Sequence, residues 1–95
     1  MELRFVWDEH KHKANLDKHG ISFEEAESIW LDPLSLEFYD LLHSVGEDRF
    51  IRIGCSFATR LLLVVFGLNS DDDTIRLISA RKATRTEREV YEKGI

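Results

Sequence analysis

From Leu34 onward the chain carries four runs dense in Leu, Ile, Val and Phe, over Leu34–Tyr39, Arg49–Cys55, Leu61–Leu68 and Thr74–Ser79. The breaks between them, around Ser44-Val45-Gly46, Phe57-Ala58-Thr59 and Asn69-Ser70-Asp71-Asp72-Asp73, are short. A crossover between parallel strands takes about a dozen residues or more, so these breaks join antiparallel neighbours and predict a meander. Leu61 to Phe66 is apolar without alternation, as a central strand covered on both faces requires. Phe50-Ile51-Arg52-Ile53 alternates and predicts one exposed side.

The flanking segments read as one strand and three helices. Leu3 to Trp7 is rich in strand formers. Asp8 is placed to cap a helix over Glu9–His19, with lysines along it and Gly20 where a left-handed residue closes a helix. Its apolar stripe is thin, Ala14 and Leu16 only, so most of its surface must face water or a partner. Ser22 and Glu25 form a capping-box pattern ahead of Phe23, Ala26, Ile29 and Trp30, and Asp32-Pro33 ends that helix. Thr84 and Glu87 repeat the pattern before a last helix that ends near Lys93-Gly94. The expected order is β-α-α-β-β-β-β-α, an α+β fold in which an antiparallel sheet meander carries two N-terminal helices and one C-terminal helix. Ninety-five residues suffice for one such domain.

Composition excludes several classes. With 43% hydrophobic residues, the chain has enough apolar material to fold, which rules out disorder as its main state. The Leu61–Phe66 run is far shorter than the roughly 20 residues a membrane-spanning helix needs, and Met1 is followed by an acid rather than by a basic leader. The lone Cys55 forms no internal disulfide, which fits a reducing cytoplasm. The net charge of −5 argues against nucleic acid only as an average. Residues 1–48 hold 4 Lys and Arg against 12 Asp and Glu, whereas residues 49–95 hold 9 against 6. Attraction near contact follows the local field, so a basic face is compatible with an acidic total.

Arg49, Arg52, Arg60, Arg76, Arg81, Arg85 and Arg88, with Lys82, fall on the expected strands or just beyond them. Guanidinium groups fork onto phosphate and stay charged, so a cluster suits an RNA backbone and a phosphorane transition state. The bland alternative is surface pairing with Glu47, Asp48, Glu87 and Glu89. Arg60, opening a buried strand, and Arg81, in the link to the last helix, lean toward function. His10 and His12 are two apart on a helix and point about 200° from each other, so they cannot share an ion. His12 and His19 lack a third ligand, and no metal site is expected. His19 suits a helix C-terminus on dipole grounds alone and suits proton transfer near neutral pH as well. Cys55 reads as a packed small hydrophobe, Trp7 and Trp30 as core, and the glycines form no phosphate loop.

The segments Trp7-Asp8-Glu9, Asn15 through Ala26 (NLDKHGISFEEA) and Asp32-Pro33 resemble the N-terminal signature of the BrnT family of type II toxins. Later stretches agree: His43-Ser44 with Glu47 and Arg49, Gly54 with Ser56, Arg60, Ile75 through Ala83 (IRLISARKA), and Glu87-Arg88 with Tyr91. The resemblance spans nearly the whole chain. It implies a RelE-like ribonuclease fold and metal-free RNA cleavage through attack of the ribose 2′-hydroxyl, with no cofactor. It also implies growth arrest in the cytoplasm and neutralisation by a BrnA-type antitoxin, a ribbon-helix-helix-like DNA-binding protein that carries the hetero-oligomer to operator DNA. By position it points to Arg60, Arg81 and His19 as catalytic residues and to Lys18, Arg49, Arg76 and Lys82 as RNA contacts. The general base stays open among His19, His43 and Glu47. A toxin-like relic serving only as a corepressor and a metal-dependent nuclease are the alternatives.

Overall fold

Asp8 keeps an extended backbone while its carboxylate accepts the N–H groups of His10 and Lys11, so helix α1 (Glu9–His19) starts with two otherwise orphan donors satisfied. Gly20, at φ 71°, closes it by donating its N–H to the Leu16 carbonyl. In this computed structural model, which describes residues 3–44, 46–69 and 73–94, Ser22 Oγ accepts the Glu25 N–H and opens helix α2 (Phe23–Glu27). Only that half of the expected capping box forms, because the Glu25 carboxylate is committed to Arg60 and Ser56. The chain then tightens into a 3₁₀ turn, Ser28–Leu31, and leaves the helical region at Asp32 as Pro33 demands. Helix α3 (Arg85–Lys93) has a complete capping box between Thr84 and Glu87 and a left-handed Gly94.

Five strands form one sheet: β1 (Arg4–Val6), β2 (Leu36–Tyr39), β3 (Arg49–Cys55), β4 (Leu61–Asn69) and β5 (Thr74–Lys82), in the order β1-β5-β4-β3-β2. Strands β2 to β5 make the expected antiparallel meander. The expectation of a purely antiparallel sheet fails at β1, which lies parallel to β5 with Arg4 opposite Thr74 and Val6 opposite Arg76. The helices separate β1 from β2, so no hairpin fixes its direction, and the sheet is mixed. Strand β5 extends to Lys82, which puts Arg81 inside the strand rather than in the link after it. Parts of two expected breaks, Val45 and Ser70-Asp71-Asp72, lie outside the described residues.

Alternation along the strands assigns the two faces. Leu62, Val64, Phe66, Ile75, Leu77 and Ala80 face Ile21, Phe23, Ala26 and Ile29, with Phe5, Trp7, Trp30 and Phe50 completing this core. Each fully buried Leu or Phe here is worth about 1.5–3 kcal/mol. Ile53, Leu61 and Leu63 point to the opposite face, where Ala83 and Tyr91 cover one end and the rest stays open. A bulge between Val65 and Phe66 leaves Ile78 without a register partner, since Val65 faces Ser79 and Phe66 faces Leu77. Arg52 is not on an exposed side as alternation predicts; it lies 5.1 Å over the Trp30 ring and pairs with Glu37 at 2.8 Å.

Two polar anchors hold the helices. Asn15, only 6% exposed, is the residue that docks α1: its Nδ2 donates to the Ala80 and Ile21 carbonyls and its Oδ1 accepts the Ala80 N–H. Strand β1 ends at Val6 opposite Arg76, so Asn15 replaces a strand neighbour at Ala80 on the otherwise open edge of β5. Asp32 anchors the other end by accepting the Cys55 N–H at 2.8 Å, the Leu34 N–H at 2.9 Å and the Tyr91 hydroxyl of α3 at 2.7 Å. Burial pushes the Asp32 carboxyl up, but these donors outweigh it and the net is a carboxyl below its ordinary value.

Candidate functional site

Arg60 and Arg81 do not share a pocket. Arg60 precedes Leu61 and turns to the helix-covered face, where its Nε donates to buried Glu25 at 2.9 Å and its Nη2 reaches the Glu25 and Gly20 oxygens. Arg81 alternates with Ala80 and so projects from the opposite face, beside Leu63. There it forks onto Glu87 at 2.8 and 2.9 Å. The expectation of one positive pocket containing both guanidiniums is therefore corrected. Strand alternation separates them, and each has a carboxylate partner. Each pair also shifts its members the same way: the Arg60 hydrogen bond lowers the Glu25 carboxyl, the Arg81 hydrogen bond lowers that of Glu87, and both guanidiniums rise.

The open face gathers a different set. Arg49, Gly67 and Arg76 lie in one row across β3, β4 and β5. Glu47 occupies the space a side chain on Gly67 would fill, its Oε2 3.1 Å from that point, and bridges Arg76 and Arg49. Next to this row is a depression of about 490 Å³ lined in part by Asp40, His43, Arg49, Ser79, Arg81 and Glu87. His43 Nδ1 sits 3.1 Å from both Asp40 carboxylate oxygens. A carboxylate only accepts, so this contact favours a proton on Nδ1 and turns Nε2 away from Asp40. One face thus combines guanidiniums able to hold a phosphate with an oriented imidazole. Among the described residues, two of the five Arg81 N–H groups go to Glu87 and one to the Lys82 carbonyl at 3.2 Å, leaving the rest for a ligand.

Lys18 and His19 lie at the end of α1, in a second depression of about 230 Å³ that also contains Asn15, Ile78 and Ser79. Ile78 and Ser79 line both depressions, which makes them two sides of the uncovered β5 edge. Lys82, next to Arg81 but on the other side of the strand, is close enough to Glu25 to help lower its carboxyl. Lys18, His19 and Lys82 therefore lie on the helix side of the sheet, whereas Arg49 on β3 and Arg76 and Arg81 on β5 lie on its open face. His12 faces away from this site, between Glu9 and Glu24 and stacked on Phe23.

A sequence model of the BrnT ribonuclease toxins of type II toxin-antitoxin systems matches residues 7–87. The chain belongs to the BrnT family. A BrnT toxin acts within a type II system, so an antitoxin partner comes with the family. The fold is similar to the crystal structure of the Brucella abortus ribonuclease toxin, BrnT, with a TM-score of 0.66 at 23% identity, over 88% of this chain and 100% of that one. No curated protein sequence gives a significant match.

Sequence reasoning missed two elements of this candidate site in the BrnT chain, the docking role of Asn15 and the Asp40 partner of His43. Asn15 reads as a helix polar residue, and nothing local marks it as a strand cap. Asp40 precedes and His43 ends a 3₁₀ turn, Leu41–His43, that no periodicity signals. His43 stands among the possible bases through the resemblance, and the three-residue spacing to Asp40 is the sign of its partner in the sequence. Cys55 is half-buried and its thiol donates to the Ser56 carbonyl.

Proposed function

We propose that this protein is a metal-independent endoribonuclease toxin of RelE-like type, acting on RNA in the cytoplasm to arrest growth and held inactive by a BrnA-type, ribbon-helix-helix-like antitoxin. The observation that carries the reading is the convergence of Arg49, Arg81 and an Asp40-oriented His43 on one uncovered sheet face. Arg81 and Arg49 grip the scissile phosphate, and His43 Nε2 takes the proton of the ribose 2′-hydroxyl. The 2′-oxygen bonds to phosphorus, the bond to the 5′-oxygen breaks, and a proton from His19 across the β5 edge completes the leaving hydroxyl. Because Glu87 raises its pKa, Arg81 serves as a charge clamp and not as the proton donor. Lys18, Lys82 and Arg76 hold the neighbouring backbone. Arg60 leaves the catalytic set and becomes the partner of buried Glu25.

Purified protein incubated with RNA in excess EDTA is expected to yield fragments with 2′,3′-cyclic phosphate and 5′-hydroxyl ends. Intact RNA would favour the corepressor alternative, and cleavage abolished by the chelator would favour a metal-dependent nuclease.

A further inference from the structure

On the helix-covered side, away from the β5 edge, an apolar cleft of about 570 Å³ opens between β1, the 3₁₀ turn after α2 and the turn that follows β3. Leu3, Phe5, Trp30, Leu31 and Phe57 line it, with Glu24 and Glu27 on its rim. Two of the apolar side chains are left in water to an unusual degree: Leu31 is 86% and Phe57 71% exposed. Neither contributes to the core clusters, so their size and hydrophobicity are unexplained by folding. Among the described residues no cation pairs with Glu27, and its carboxyl is pushed up first by burial and then by the neighbouring charge of Glu24. An apolar floor with an acidic rim repels RNA and suits a protein segment that brings both a hydrophobic and a positive group.

We propose that this cleft is the docking surface for the antitoxin, and that its occupant is an amphipathic antitoxin segment that inserts one or two large apolar side chains between Leu31 and Phe57 and sets a Lys or Arg against Glu27. The assignment rests on membership of a toxin-antitoxin family for the existence of the partner. Complementarity to the Glu27 carboxylate on the rim, which no cation among the described residues pairs, decides the sign of the partner's charge. A second copy of this chain would bring Glu24 and Glu27 against the same carboxylates and is disfavoured on that ground. Docking here leaves the groove of Arg49, His43 and Arg81 uncontacted by this segment, so affinity and inhibition are separable.

The test uses the purified cognate antitoxin, with affinity measured by titration calorimetry. Leu31→Asp and Phe57→Asp, both at exposed positions that the fold does not need, are each expected to weaken binding by about 30-fold or more. Glu27→Lys is expected to weaken it in a salt-dependent way, while all three variants keep the wild-type rate of RNA cleavage. Leu42→Asp, an exposed apolar position remote from the cleft, serves as the control and should bind within about 3-fold of wild type. Wild-type binding retained by all three cleft variants overturns the proposal. So does light scattering in which wild type alone is a dimer and Phe57→Asp is a monomer, which would give the cleft to a second copy. Wild type that neither binds the antitoxin nor cleaves RNA instead removes the toxin reading beneath it.

Discussion

Replacing Asn15 by alanine removes the polar bridge that docks α1 on the β5 edge. Three hydrogen bonds disappear, two with Ala80 and one with the Ile21 carbonyl, and Ala80 is fully buried, so no water replaces them directly. At about 0.5–1.5 kcal/mol net per bond, with the higher end favoured by burial, the loss is about 2–4 kcal/mol. Alanine returns about 0.5 kcal/mol in helix propensity, which leaves about 2–3 kcal/mol. For a domain of this length that corresponds to a fall in Tm of about 10–20 °C. Thermal unfolding followed by circular dichroism is the assay, and Asn15→Asp should be at least as harmful because a carboxylate would then face the Ala80 carbonyl. A fall of under about 3 °C for Asn15→Ala would refute the reasoning, since it would mean that the edge is satisfied without the side chain.

Two glycines give opposite expectations. A Cβ on Gly54 would lie 2.9 Å from Ser35 Cβ and 3.0 Å from Ile29 Cβ, so Gly54→Ala should cost about 1–3 kcal/mol in a urea melt. On Gly67 the nearest atom is the movable tip of Glu47 at 3.1 Å, so Gly67→Ala should leave stability within about 0.5 kcal/mol while displacing Glu47 from Arg49 and Arg76, which should leave the KM for RNA unchanged or lower it. The Glu25 and Glu87 carboxyls both sit below their unfolded values, so their contribution is complete above about pH 5 and is lost as the pH falls through the folded values. Urea unfolding between pH 6 and pH 3 should show that loss, with a shallower slope in Glu25→Gln.

Much of the framework was legible because it rests on local chemistry. Asp8, Gly20, Thr84 and Gly94 mark helix ends through hydrogen bonds made within a few residues, and α1 and α3 fall where those signals put them, as β3 falls on its apolar run. The parallel pairing of β1 was not legible, since a strand with no hairpin leaves no sequence record of its direction. The Ser22-Glu25 spacing misled for a related reason. Glu25 had a stronger, distant claimant in Arg60, 35 residues away. The candidate site divided along the same line. That the late arginines lie on strands followed from pattern, but which face each occupies depends on register. The bulge at Ile78 adds a residue to β5 between Leu77 and Ser79, so counting in twos fails there. The strand start at Arg60, the link at Arg81 and the family resemblance join the two in expectation, and the side of the sheet from which each emerges parts them.

The most direct test of the open-face site is the single-turnover rate of RNA cleavage in EDTA for Arg81→Ala beside Glu87→Ala. If Arg81 clamps the scissile phosphate, Arg81→Ala loses on the order of 100-fold or more. Glu87→Ala, which frees that guanidinium, keeps or raises the rate. Equal rates for wild type and both variants would make Arg81 only the partner of Glu87 and would contradict the account.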